Sequence, residues 1–200
     1  MKNLFKNIAL IAVSIFVLSC SDDDNNSNEP QTIADIASAN PNLSILVQAL
    51  DRAGLVATFD GTGDFTVFAP TNTAFNNFLA TTPYATINDV PVPVLTEILK
   101  NHVIGASYTS SELTTGYVKT LAKGSASSTN TLSMYIDLTS GVKINGGSTN
   151  GGANVVLTSA NIAASNGVIH VVDNVIGLPT VVNHAIANLS FATLTTLLSA

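Results

Sequence analysis

An α+β fold, helices first and strands later, is predicted by three features of the sequence. Before residue 105, apolar residues recur at helical spacing, as at Leu43, Leu46, Val47 and Leu50, so one face of a helix is apolar. From Tyr108 onward, short apolar runs alternate with turns rich in Gly, Asn and Ser, which is the pattern of strands. One strand, Phe65 to Ala69, comes early and is apolar on both faces, so it is expected in the core between helices. Separating helices from strands in this way gives an α+β arrangement.

Residues 1–19 are read as a signal peptide outside the fold. Lys2 and Lys6 precede an apolar run from Ile8 to Leu18, which is short of the ~20 residues that a membrane-spanning helix needs. Val17-Leu18-Ser19-Cys20 resembles a bacterial lipobox, so Cys20 is the expected lipid-attachment site. It is the single cysteine, which excludes a disulfide within one chain. Several acyl chains hold a protein to a membrane where one chain binds only marginally. Residues 20–31 hold SDDDNNSNEP, too little apolar surface to offset ordering, and are expected as a disordered acidic tether. The Asp run reads as a solvated spacer, since a Ca²⁺ site needs many oxygens held in place. The expectation is an exported bacterial lipoprotein on the outer membrane, the cell surface or the periplasmic face, with the membrane as a partner through lipidated Cys20.

The first helix is expected over Thr32 to Ser38, capped by Thr32 and broken by Asn40-Pro41. A second follows with the stripe named above, and Gly54 is its terminator. Asp60-Gly61-Thr62-Gly63 is a turn into the early strand. Pro70 removes a backbone donor and ends that strand. Thr71 or Asn72 can then cap a helix N-terminus, and Phe75, Phe78 and Leu79 follow at helical spacing. Val90 to Ile104 reads as another helix, with Pro91 and Pro93 at its start and Gly105 at its end. Tyr117 to Leu121 is a strand. Leu132 to Leu138 and Val142 to Asn145 flank a hairpin turn at 139–141. The run NGGSTNGG, residues 145–152, is read as a flexible loop too glycine-rich to pack. Asn154 to Ala164 and Val168 to Ile176 flank Asn166-Gly167, the strongest short hairpin signal, because both turn positions call for positive φ.

Two of these stretches carry a resemblance. TVFAPTNTAF, with Thr66, Pro70, Thr71, Asn72 and Phe75, is similar to the first signature of fasciclin (FAS1) domains. NGVIHVVDNVIGLP, with Asn166, Gly167, His170 and Asp173, is similar to the second. The family implies a β-sandwich or wedge with helices packed along one side, over residues 32–179. Asn72 stands where the signature usually has Asp, which removes an anion from a helix N-terminus. His102 falls on the helix that in this family usually ends in Tyr-His; here it ends Asn101-His102.

Catalytic patterns are missing from the sequence. It holds no P-loop, no dinucleotide fingerprint, no His pair at metal spacing and no G-x-S-x-G. His170 and Asp173 lie three apart on a strand, so they point to opposite faces. The expectation is a protein without catalysis, cofactor or metal. A formal charge of −6 and the lack of any Lys/Arg cluster argue against a nucleic-acid partner. The resemblance implies cell adhesion or matrix and surface contact, with an unknown protein or glycan partner at the cell surface. Some animal members bind integrins through Tyr-His and Asp-Ile. Those motifs fall here on Asn101-His102 and Asn161-Ile162, which lack the aromatic and the carboxylate; these four are the candidate interaction residues. The alternative is a glycan- or small-ligand-binding accessory lipoprotein, for which the lack of Trp is a weakness.

Residues 180–200 repeat the start of the domain. Thr180, Ala185, Ala187, Asn188, Leu194 and Leu198 fall on Thr32, Ala37, Ala39, Asn40, Leu46 and Leu50 without gaps. A fixed period marks a repeated unit, so this segment is expected to be the truncated start of a second fasciclin repeat. The alternative is a C-terminal helix that completes the first domain.

Overall fold

The computed structural model describes residues 30–124 and 127–198; the signal peptide, Cys20 and nearly all of the tether lie outside them. The chain enters through α1 (Ile33–Ala39), whose N-terminus is closed by a capping box. Thr32 Oγ1 accepts from the Asp35 N–H, and the Asp35 carboxylate accepts from the Thr32 N–H and hydroxyl. Two orphan donors are thereby satisfied reciprocally, and these bonds hold the Asp35 carboxyl below its usual range. Asn40 accepts from the Asn42 N–H and opens a 3₁₀ turn over Pro41–Leu43, after which α2 (Ser44–Arg52) buries Leu46, Ala49 and Leu50. A short helix, α3 (Val56–Asp60), stands just ahead of the expected turn. The sequence reading did not include it, and burial of Phe59 against the core holds it in place.

The early strand, β1 (Phe65–Pro70), is central. It is followed by α4 (Asn72–Ala80) and α5 (Val92–Asn101). Helix α5 ends three residues sooner than expected, because Val103–Ile104 forms β2, antiparallel to β1 through Thr66 and Val67. On its other side β1 runs parallel to β8 (Gly167–Val172), with Phe65 to Pro70 matched residue by residue to Gly167 to Val172. β7 (Ile162–Ala164) closes the sheet, giving the order β2-β1-β8-β7. Pro70, the last residue of β1, stands level with Val172. A second, antiparallel sheet is formed by β3 (Gly116–Lys119), β4 (Ser133–Asp137), β5 (Lys143–Ile144) and β6 (Ala153–Asn154) in sequence order.

The layers are helices, first sheet, second sheet. Alternation along β1 serves both interfaces: Val67 and Ala69 join Ile33, Leu43, Phe75, Leu95 and Ile169 beneath the helices. Phe68 joins Met134, Ile136, Ile144 and Val172 between the sheets. This is the α+β wedge that the sequence implied.

Three local expectations are corrected. Of the hairpin expected around Asn166-Gly167, Ile162–Ala164 pairs with β8 and Val155 adds a single bridge to Val172, while β6 belongs to the other sheet. Ala164 stands opposite Gly167, so Ser165 and Asn166 make the turn, and only Gly167 has positive φ, at 147°. Glycine is needed there because a Cβ would run into the Phe65 carbonyl across the parallel pair. The glycine-rich loop 145–152 packs after all. Asn145 is buried at φ 51°, a 3₁₀ turn spans Ser148–Asn150, and a Cβ on Gly152 would strike the Ile144 carbonyl.

The chain leaves through α6 (Val181–Ala187), a 3₁₀ turn at Leu189–Phe191, and α7 (Ala192–Leu198).

Candidate functional site

Most polar side chains of the two signatures turn inward and are consumed by hydrogen bonds, with Asp173 the exposed exception. Thr66 is fully buried; its hydroxyl donates to the Ala106 carbonyl at 2.7 Å and accepts from the Tyr108 N–H at 2.8 Å, anchoring the loop after β2. Thr71, not Asn72, caps α4 by accepting from the Ala74 N–H. That frees Asn72 to join α4 to the first helices. Its carbonyl accepts from the Ile45 N–H at 2.9 Å, and its amide donates to the Pro41 carbonyl and the Ser44 hydroxyl. A carboxylate in its place could not donate to Pro41. Phe75 is buried beneath it in the helix core.

Asn166 reaches far across the sequence. Its carbonyl accepts from the Ile33 N–H at 2.9 Å, and its amide donates to the Phe59 and Gly61 carbonyls, both at 2.8 Å. One buried amide therefore joins the start of α1, the end of α3 and the β7–β8 turn.

Both signature-region histidines are held neutral. His102 Nδ1 lies 2.8 Å from the Ile98 carbonyl and must donate to it, so Nε2 accepts from the Ile176 N–H at 2.8 Å. Full burial lowers its pKa to about 4 despite the Ile98 bond. His170 uses the other tautomer. Nε2 donates to the Tyr108 carbonyl at 2.9 Å, Nδ1 accepts from the Asn161 N–H, and the ring stacks on Phe68 at 5.6 Å. Burial pushes its pKa down as well. With both nitrogens engaged, neither ring has a free lone pair for proton transfer. Asp173 is exposed and takes no part with His170; it accepts from the Asn154 N–H and amide, both at 2.7 Å.

The four candidate interaction residues divide. Asn101 is completely buried, donating to the Gly177 carbonyl and accepting from the Thr120 hydroxyl, so with His102 it is internal. Asn161 is exposed, held at φ 58° by bonds to the Ser110 N–H and hydroxyl. Ile162 is half-buried against the helix core. The pairs 101–102 and 161–162 therefore do not make one shared surface patch.

The unspent surface lies elsewhere. Tyr117 is 47 % exposed, with Tyr135 at 5.0 Å and the His184 ring edge-on at 5.5 Å. An open groove of about 610 Å³ runs beside it, lined by Tyr117, Leu132, Val181, His184, Phe191 and Leu194 among others. His184 Nδ1 is buried without a hydrogen-bond partner among the described residues, and burial lowers its pKa. Reading the sequence for motifs passed over Tyr117 because nothing in its neighbours marks it. Among the described residues no group of three His, Cys, Asp or Glu could hold a metal, and no helix is long and apolar enough to cross a membrane.

Comparison with known proteins agrees with this architecture. The fasciclin domain family model matches residues 41–179. Protein sll1483 of Synechocystis is 36 % identical over 155 residues, 75 % of each chain. Synechocystis sll1735 is 35 % identical over 146 residues, 72 % of this chain and 96 % of its own. The cell surface glycolipoprotein MPB83 of Mycobacterium bovis is 40 % identical over 88 residues, 40 % of this chain and 38 % of that one. Among solved structures, a FAS1 domain pair from the insect cell adhesion molecule Fasciclin I superposes with a TM-score of 0.57 at 18 % identity. The match covers 73 % of this chain and half of that two-domain chain.

Proposed function

The chain belongs to the fasciclin domain family, and from that premise we propose a non-catalytic protein of the cell surface or periplasmic face that mediates adhesion or surface contact. Residues 32–179 are its working domain. Residues 20–31 tether that domain, and a lipid on Cys20 anchors it after residues 1–19 are removed.

The observation that carries the reading is the fate of the polar side chains of the two signatures and of the α5 end. Thr66, Asn72, Asn101, His102, Asn166 and His170 are all spent on internal hydrogen bonds, which leaves recognition to the exposed face rather than to a catalytic cleft. The partial likeness to a mycobacterial cell surface glycolipoprotein supports an exported location. The glycan-binding alternative has one observation in its favour, the exposed Tyr117 beside Tyr135, since a Tyr ring offers a broad apolar face with a polar hydroxyl at its tip.

The test is surface biotinylation and fractionation of intact cells expressing the full chain, beside Cys20→Ser. The expected result is a membrane-associated, cell-accessible protein that Cys20→Ser releases. Membrane attachment that survives Cys20→Ser would sink the anchor. Binding to a glycan array that Tyr117→Ala abolishes, with no cell or matrix attachment, would replace adhesion by the alternative.

A further inference from the structure

We propose that residues 180–198 are the opening hairpin of a second fasciclin domain, and that their exposed apolar face is the surface which the body of that domain buries. The local structure of the first hairpin is reproduced step by step. Thr180 and Asn183 form a capping box as Thr32 and Asp35 do. Asn188 caps the next turn at φ −106°, ψ 108°, against −99° and 109° at Asn40, and its side chain accepts from the Ser190 N–H as Asn40 does from Asn42. Helix, 3₁₀ turn and helix follow in the same order and at the same offset.

The apolar positions are reproduced too, but apart from Ala185, buried like Ala37, their burial is not. Ile33, Ala34, Leu43, Leu46 and Ala49 are buried in the first hairpin. Their counterparts Val181, Val182, Phe191, Leu194 and Leu197 are 78, 47, 42, 42 and 71 % exposed. In the first hairpin the Ile33 and Ile45 N–H groups are taken by Asn166 and Asn72 of the body. Their counterparts, the N–H groups of Val181 and Thr193, meet no side-chain acceptor among the described residues. The hairpin is held to the first domain along α6, where Ala185 is buried and Asn183 and Asn150 exchange amide–carbonyl bonds at 2.8 and 2.9 Å, while Val181, Phe191 and Leu194 stay open along the groove beside Tyr117 and Leu132. No Asp, Glu, Lys or Arg occurs from Asn174 to Ala200, which matches an apolar, uncharged receiving cleft. The interface that covers the first hairpin is thus the template: the occupant is a fasciclin body presenting that cleft with two amide acceptors at its rim. Its pocket has to be roomier at three positions, since the larger Val182, Phe191 and Leu197 replace Ala34, Leu43 and Ala49.

The experiment appends a second copy of residues 53–179 directly after Ala200, so that 180–200 becomes the opening hairpin of the added body. A matched fusion carries Val182→Ala, Phe191→Leu and Leu197→Ala, which restore the side-chain sizes of the first hairpin. A control replaces residues 181–198 by a Gly/Ser linker. The expected result is a protease-resistant second domain in the size-matched fusion and its loss in the control. The overturning result is an added body as protease-sensitive with the size-matched hairpin as with the linker, while a positive control carrying residues 32–52 at that place folds. Two further outcomes would also overturn the proposal. One is a fall of more than about 5 °C in melting temperature when 181–200 is deleted from the unfused chain, beyond the roughly 2–4 °C that ~1 kcal/mol produces in a domain of this size; the segment would then complete the first domain. The other is a dimer of the unfused chain that Leu197→Asp dissociates, which would make the face a contact between copies.

Discussion

The hairpins at residues 32–52 and 180–198 are built alike and sit in opposite surroundings. In the first, Leu43 is 1 % exposed and Ala49 not at all; in the second, Phe191 and Leu197 stand in solvent. Capping boxes, turns and the bounds of the first helix are nonetheless the same. Local hydrogen-bond chemistry therefore sets the shape of this hairpin, and packing against a body adds stability without changing it. An isolated seven-residue helix is marginal in water, so the second hairpin draws on its caps and on the Asn150–Asn183 pair where the first draws on a core.

The largest expected difference is in the core. Leu43→Ala should lower unfolding free energy by about 2–5 kcal/mol, whereas Phe191→Ala at the matching position should cost under ~0.5 kcal/mol, as surface changes do. Urea denaturation of both variants measures this. Equal losses would show that the second hairpin is as much a part of the domain as the first.

A difference nearly as large should appear with pH. His102 lines the same core as Leu46 and Leu50, and burial holds its folded pKa at about 4, below its ordinary value near 6.5. The unfolded chain therefore takes up the proton first. Stability is full above about pH 6.5, falls by up to ~3 kcal/mol on the way to pH 4, and is flat with respect to this group below that. His170 and His184 are shifted in the same direction. Chemical denaturation across pH 4 to 7 should show that slope largely intact after removal of 181–200, and much reduced in His102→Gln. A slope that vanishes with the second hairpin would move the titration to His184.

The buried amide gives a third contrast. Asn166→Ala should cost about 3 kcal/mol, since it orphans the Ile33 N–H and two carbonyls at 1–3 kcal/mol for each buried group left unpaired. Amide exchange at Ile33 should accelerate while exchange at Val181, which has no such partner, stays as it was.

The smallest effect concerns the caps. Thr32→Ala should lower global stability by about 1 kcal/mol, while Thr180→Ala should lower helical content over 181–187 and leave the melting midpoint in place. Circular dichroism beside calorimetry separates the two. A shift of the midpoint by Thr180→Ala would show that helix α6 is coupled to the domain's unfolding.

Determined by the sequence alone were the features that depend on neighbours: the Thr32 cap, the break at Asn40-Pro41, the strand from Phe65, the stop at Pro70, the α+β order of elements and the two signatures that mark the family. Each rests on a bond or a torsion within a few residues, so a short window holds the signal. What the tertiary structure decided lies across long stretches of chain. The parallel match of β1 to β8 joins residues about a hundred apart, and it alone explains why Gly167 has no room for a side chain. Asn166 looks like a turn residue until Ile33, Phe59 and Gly61 come to it. Val103 and Ile104 continue the helical stripe in sequence but are drawn off to β1. Asn101 and Asn161, one buried and one exposed, cannot be told apart by residue type. Whether an apolar stripe is covered is likewise invisible locally, because the hydrophobic effect depends on what arrives to displace water, and the stripe at 181–198 is written like the one at 33–50.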